Sequence, residues 1–129
     1  MPYIYSMVDD LENTEKVGSH QCVALLQTYA KLPKTISWKE GESVNDALSI
    51  QKGTAIATFV NGKYQSQSTG NHAAFFISQV AGGIWIMDQW SDDKTKPKVS
   101  KRFIRRKGKM ASGAYVDPSN NADAYSIIE

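Results

Sequence analysis

The apolar residues of this chain change period once, near Thr54, and that change constrains the fold class. Upstream, Cys22, Leu25, Leu26 and Tyr29 recur at the spacing that lines one face of a helix. The pattern predicts a helix over Ser19–Lys31. Gly18-Ser19 is its expected N-cap, because a Ser hydroxyl accepts from the free N–H groups of a first turn, and Pro33 is its stop. Ser43–Leu48 reads as a second, short helix. Downstream, short apolar runs alternate with turn dipeptides. Thr54–Val60 predicts a strand ended by Asn61-Gly62, a strong hairpin signal. Polar Lys63–Gly70 reads as a loop. His72–Val80, apolar on both faces, reads as a covered central strand. After Ala81-Gly82-Gly83, Ile84–Trp90 is a further strand and Ser91–Pro97 a loop. Val99–Arg106 reads as a strand, Gly108–Asn121 as turns, and Ala122–Ile128 as a last short strand. A helix followed by mostly antiparallel strands is an α+β arrangement, an N-terminal helix packed on a small sheet or barrel.

The chain has 129 residues, 41% hydrophobic and 22% charged. That fits one domain over 1–129 able to bury roughly two thirds of its unfolded surface without staples. Cys22 is the only cysteine, so neither an internal disulfide nor a Cys-rich zinc framework can form. No apolar run approaches the ~18 residues of a membrane span. The start, Met1–Asp10, lacks a basic leader, and acids precede any long apolar stretch, so synthesis in the cytoplasm without a secretory signal is expected. Charge is uneven. Residues 94–109 carry nine Lys and Arg and no acid, whereas residues 1–93 carry six basic and ten acidic residues. The preferred reading of this basic segment is a solvated strand face. Phe103 alone interrupts it, a weak nucleic-acid signal, and no nucleic acid is expected.

Cys22 falls in the first turn of the predicted helix, where free N–H groups and the helix dipole stabilise a thiolate. The competing reading is a small buried hydrophobe. A thiol nucleophile needs a base, and the chain has two histidines. His20, two residues before Cys22, would point away from it on a helix and reads as solvated or capping. His72 opens the central strand and can offer one ring nitrogen to Cys22 and the other to an orienting group. Asp88 ends the next strand in an otherwise apolar run, Ile84-Trp85-Ile86-Met87-Asp88, and a carboxylate there requires a partner. A loop centred on Val80 would set Asp88 directly across from His72. A tight turn at Gly82-Gly83 would give the opposite parity, so the pairing needs a wider loop or a bulge. A metal site from His20, Cys22, His72 and Asp88 lacks any close ligand motif, and none is expected.

Three segments resemble the papain-like fold of cell-wall amidases, the NlpC-like and CHAP-like group. Gly18–Leu25 looks like the start of the nucleophile helix, Asn71–Phe76 like the His strand, and Asp88-Gln89-Trp90 like the third-residue segment. With Gly53–Phe59 and Asn61-Gly62-Lys63-Tyr64, their order resembles the second family of type VI secretion amidase effectors.

The resemblance implies a peptidoglycan peptidase that cuts the D-alanine–meso-diaminopimelate cross-link. It further implies delivery into the periplasm of a rival bacterium by the type VI apparatus, and restraint by a cognate immunity protein. Cys22 is then the nucleophile, His72 the base and Asp88 its orienter, with Gln89 as an alternative orienter. The Cys22 N–H would meet the oxyanion, with Gln21 or His20 as candidate second donors. Trp90, Gln89, Trp38 and Tyr64 are groove candidates, and no cofactor is expected. The basic segment would draw the enzyme to an anionic wall or to an acidic partner. Asp88→Asn is expected to keep partial activity, since an amide still orients the ring. Two other readings stay open: a Cys-His deamidase or transglutaminase-like toxin acting on a protein, and a β-rich binding module with a structural Cys22.

Overall fold

The computed structural model describes residues 1–129. It contains one α-helix, α1 (Cys22–Ala30), and six strands: β1 (Glu40–Ser43), β2 (Ala55–Thr58), β3 (Ala73–Val80), β4 (Gly83–Asp88), β5 (Ser100–Arg105) and β6 (Tyr125–Ile128). They form one antiparallel sheet in the order β1-β6-β2-β3-β4-β5. The α+β expectation holds. Of the two expected forms, sheet or barrel, the sheet is present, with β1 and β5 as its free edges. No helix is long and apolar enough to cross a membrane.

The two central strands are covered on both faces. All four residues of β2 and the first five of β3 are buried. One apolar cluster joins α1, through Leu25 and Leu26, to Phe75, Ile77 and Met87. A second, containing Ile56, Phe76, Ile84, Ile86 and Tyr125, lies on the opposite face. Buried apolar residues therefore occupy both alternating sets of positions in β3 and β4, because each face has its own core.

The helix begins later than its pattern suggested. Gln21, extended, is the N-cap, and Ser19 accepts only from the Gln21 N–H, at 3.3 Å. His20 adopts a left-handed φ of 70°, which breaks the helical path before Cys22. Lys31, also left-handed, ends the helix just before Leu32-Pro33. The second predicted helix is absent. Glu40–Ser43 is instead the edge strand β1, and only a single turn follows, with Asp46 and Ala47 donating to the Ser43 carbonyl. Val44 and Ala47 are buried, but Leu48, counted as helical and apolar, is fully exposed, so the apolar positions are too few to hold more than a turn. The Asn61-Gly62 turn forms as expected: both residues have positive φ, and Val60 and Lys63 exchange hydrogen bonds of 2.9 and 3.0 Å. Gly53 has φ 94° and lies against the Tyr5 carbonyl, where any Cβ would collide. This lets residues 3–5 add to the start of β2.

The β3–β4 register answers the parity question raised by the sequence. The turn is tight: Val80 pairs with Gly83, Gln79 with Ile84 and Ser78 with Trp85. Carried on unchanged, that register would set Phe75 across from Asp88 and turn His72 to the other face. Beyond Ile77, however, Phe76 pairs with Ile86 and Phe75 with Met87. Ile77 is an extra residue, a β-bulge. The reset register, continued by one residue, sets Ala74 across from Asp88. His72 then lies two residues further along on the same face, a diagonal neighbour rather than the directly opposed partner that a loop centred on Val80 would have given.

Candidate active site

The first residue of α1, the residue before β3 and the last residue of β4 meet at one cleft of about 650 Å³. Cys22, His72 and Trp90 line it, together with Gln21, Tyr64 and Arg102. Cys22 is half-buried at the helix start, where its own N–H has no acceptor within the helix. His72 is buried. Its N–H donates to Thr58 Oγ1 at 3.0 Å and its carbonyl accepts from the Thr58 N–H at 3.0 Å, so β2 fixes the backbone that carries the ring.

The His72 Nε2 lies 2.8 Å from Asp88 Oδ2. An ionised carboxylate only accepts, so Nε2 carries the proton and Nδ1 is left for Cys22. Asp88 is fully buried and holds two further cations: Arg102 Nε donates to Oδ2 at 2.8 Å, and Lys96 Nζ lies 2.7 Å from Oδ1. The Lys96 contact is an ion pair that falls outside hydrogen-bond geometry. Trp90 fills the space between the two bases, with its ring centroid 4.7 Å from Lys96 Nζ and 5.2 Å from Arg102 Cζ. The edge-on ring of His72 is 6.3 Å away.

These contacts polarise the site. Burial alone would raise the Cys22 thiol, but the imidazole of His72, the Tyr64 hydroxyl and the Ala73 N–H outweigh it and bring the thiol below its ordinary value. Burial alone would lower His72, yet its hydrogen bond to Asp88 and its contact with Cys22 push it up to about 9. Burial works against Asp88 too, and His72, Arg102 and Lys96 together hold it well below the usual carboxylate range. Burial and the neighbouring Cys22 sulfur keep the Tyr64 phenol far above its ordinary value, so it remains a neutral hydroxyl, 3.6 Å from Cys22 Sγ. The Cys22 and His72 shifts both act toward a thiolate–imidazolium pair, backed by an ionised carboxylate.

Several site candidates fall elsewhere. Gln89 is fully buried and does not touch His72. Its Oε1 accepts from the Val17 N–H at 3.0 Å, and its Nε2 donates to the carbonyls of Val17 (3.0 Å) and Gln21 (2.8 Å). It is neither the orienter nor a groove residue but a strut tying the end of β4 to the turn before α1. Trp38 is also buried; its Nε1 donates to the Pro33 carbonyl at 3.0 Å, and its ring packs at 5.0 Å against Tyr64, supporting the cleft wall from behind. His20 is exposed and off the cleft, whereas the Gln21 side chain lines it. No group of three or more metal-ligating side chains is present.

A sequence model of the family described as domesticated amidase effector 2 matches residues 7–128. The chain is 52% identical over 133 aligned residues to the type VI secretion amidase effector 2 protein of Salmonella typhi, covering both in full. It is 36% identical over 119 residues to domesticated amidase effector 2 of Ixodes scapularis, covering 88% of this chain and 73% of that one. It superimposes on a solved type 6 secretion amidase effector 2 with a TM-score of 0.92 at 50% identity, covering 98% of this chain and 94% of the other. The chain belongs to the amidase effector 2 family.

In this family member, two site residues escaped sequence reasoning. Lys96 and Arg102 sit in the basic segment 94–109, which read as a solvated strand face. Six of its nine basic residues make ion pairs, and these two point inward to Asp88. The signal available was the lone Asp88 in an apolar strand. Its charge called for more compensation than one histidine supplies.

Proposed function

We propose that the 129 residues act as one papain-like cysteine amidase domain that hydrolyses peptide cross-links of peptidoglycan. The bond we assign is that between D-alanine and meso-diaminopimelate. The observation that carries this reading is the half-buried Cys22 at the start of α1, facing a cleft and backed by the buried His72–Asp88 pair. The family supplies the amidase chemistry and its effector setting.

The Cys22 thiolate attacks the scissile carbonyl carbon, and the C=O electrons move to oxygen. The N–H of Cys22, unpaired at the helix start, and the Gln21 side-chain amide meet that oxyanion. As the C–N bond breaks, the His72 imidazolium gives its proton to the leaving amine, and a thioester remains. His72, now neutral, takes a proton from water. The hydroxide so formed attacks the thioester, the C–S bond breaks, and the acid product leaves the Cys22 thiolate beside the His72 imidazolium, as at the start. Asp88 accepts from Nε2–H throughout, fixing the tautomer and stabilising the imidazolium. No cofactor enters this scheme. As an antibacterial effector it is delivered by type VI secretion to the periplasm of a target cell, and a cognate immunity protein covers the site in the producer.

The test is a digest of purified Gram-negative sacculi with this protein and with Cys22→Ala, the muropeptides being separated and weighed. Collapse of cross-linked dimers to monomers only with the intact thiol supports the reading and names the bond. Unchanged muropeptides from a protein whose thiol still alkylates rapidly would overturn the substrate. The same triad would then be tried on protein glutamines.

A further inference from the structure

Asp88 is completely buried, yet it touches three cationic or cation-capable groups, and only one of them, His72, belongs to the triad. The other two differ in character. Arg102 is also held by Asn120 Oδ1 (2.7 Å) and lies within 3.4 Å of the Ser119 carbonyl, so its guanidinium anchors the loop that forms the far cleft wall. Lys96 is almost as buried as Asp88. Apart from the carboxylate, its ammonium meets only the Ser100 carbonyl at 3.2 Å and the face of Trp90. Burying a lysine this deeply costs several kcal/mol unless it is compensated. A role confined to the local loop would not require it beside the site's only buried carboxylate.

We propose that Lys96 is a positioning residue of the active site: by holding Asp88 Oδ1 it fixes the carboxylate so that Oδ2 faces His72 Nε2, and it limits how strongly Asp88 pulls on the imidazolium proton. This rests on the catalytic reading above. With Oδ1 in an ion pair with Lys96 and Oδ2 shared by Arg102 and His72, rotating the carboxylate would give up contacts at both oxygens. The division of charge matters as well. An Asp serving His72 alone would retain the imidazolium proton tightly and hinder its transfer to the leaving amine. The compensating cations weaken that hold. Cys22 from α1 and Asp88 from β4 act on His72 directly; behind them stand Tyr64, from the loop before β3, against Cys22, Lys96 from the loop after β4 and Arg102 from β5 against Asp88, and Tyr125 from β6, with Asp117 beyond Arg102.

This arrangement revises the expected behaviour of Asp88→Asn. An asparagine that turns its carbonyl to His72 and Arg102 must point its NH2 at the Lys96 ammonium, donor against donor, and it leaves the buried Lys96 and the half-buried Arg102 without this anion. Asp88→Asn should therefore lose far more activity than an orientation argument allows. Lys96→Met added to it removes the clash and one excess charge at similar volume.

Four variants test this: Lys96→Met, Lys96→Arg, Asp88→Asn and the double variant Asp88→Asn/Lys96→Met. Two readouts are used, wall hydrolysis and the imidazole titration of His72 followed by NMR. The second needs no substrate, so failure of the substrate assignment leaves it intact. Lys96→Met should raise the His72 titration by roughly half a pH unit or more and lower kcat about tenfold with KM little changed. Lys96→Arg should restore most of both. The double variant should be at least severalfold more active than Asp88→Asn. An unmoved His72 titration in folded Lys96→Met, or a double variant no better than Asp88→Asn alone, would overturn the proposal.

Discussion

His72 Nε2 and Asp88 Oδ2 are 2.8 Å apart because a one-residue bulge in β3 brings both side chains to the same face of the sheet. The tight turn at Ala81-Gly82 sets a register in which the two side chains would lie on opposite faces. The bulge at Ile77 resets it. Ile77 is buried in the helix-side core, so the bulge is held by packing as well as by strand pairing. The His72–Asp88 contact thus depends on a local irregularity in the sheet, and bulges often lie beside functional sites.

Cys22→Ala and His72→Ala should each reduce wall hydrolysis by at least ~10³-fold, since members of a nucleophile–base unit act together. Both should remain folded. Cys22 is half-buried and close in volume to alanine, so a shift of only a few degrees in Tm is expected for that variant. Muropeptide release and circular dichroism melts on the same samples separate loss of chemistry from loss of fold. Parallel unfolding of both variants would make Cys22 a structural thiol.

The pH dependence of stability has an unusual form, because two shifts oppose each other. His72 is raised from 6.5 to about 9, which contributes stability below 6.5 that is lost as pH rises through about 9. Cys22 is lowered from 9.0, which contributes stability above 9.0 that is lost as pH falls. Between the pH at which folded Cys22 ionises and about 9, the folded pair and the unfolded pair each hold one proton, so the two slopes cancel. Tm should therefore be flat across that window. In Cys22→Ala the His72 slope stands alone, and Tm should fall as pH rises through the same range. Below the ordinary carboxylate value of about 3.9, Asp88, lowered in the fold, adds a loss of stability as it is protonated. Thermal melts at intervals of half a pH unit check all three limbs. A wild-type Tm that declines steadily from 6.5 to 9 would mean that the thiolate–imidazolium pair does not form.

Much of this was legible in the sequence because it rests on local pattern. The change of period near Thr54, the Asn61-Gly62 turn and the doubly apolar His72–Val80 run each specify their element. Cys22, His72 and Asp88 stood out for the same reason, each being a chemically active residue at the end of a regular element. What escaped is long-range. β1, Glu40-Gly41-Glu42-Ser43, is polar and has no strand pattern; it is held by backbone pairing to β6 at the sheet edge and by Ser126 Oγ on Glu40 at 2.7 Å. Gln89 looked like a site residue because it stands between Asp88 and Trp90. Alternation turns it to the opposite side, onto the turn before α1. Lys96 and Arg102 were hidden by their neighbours, since a run of basic residues reads as surface whichever of them point inward.

The Gln89 strut gives a third prediction. Gln89→Met keeps the volume but strands the N–H of Val17 and releases the carbonyls of Val17 and Gln21. Leaving such groups unsatisfied should cost roughly 2–4 kcal/mol in urea unfolding. Because Gln21 is the N-cap residue of α1, which begins at Cys22, kcat should fall more than stability alone explains when the assay is run where the variant is fully folded. Equal kcat under those conditions would confine Gln89 to stability.

Tyr64 offers the most direct probe of the nucleophile itself. Its hydroxyl is 3.6 Å from Cys22 Sγ, and its ring is backed by Trp38 at 5.0 Å, so Tyr64→Phe removes one donor while the wall keeps its shape. The phenol stays neutral far beyond the working range, so at every pH of interest it donates to the thiolate rather than competing with it. Losing that donor should raise the Cys22 pKa, moving the acid limb of the alkylation rate toward higher pH. Hydrolysis near neutrality should fall by about three- to tenfold, the net scale of one ordinary hydrogen bond across this long 3.6 Å contact. The His72 limb should move little, since its leading favourable contact is with Asp88. Iodoacetamide labelling of Cys22 against pH, in the wild type and in Tyr64→Phe, measures the acid limb without any cell-wall substrate. Superimposable profiles would mean that the Tyr64 hydroxyl takes no part in holding the thiolate and that His72, Ala73 and the helix start suffice.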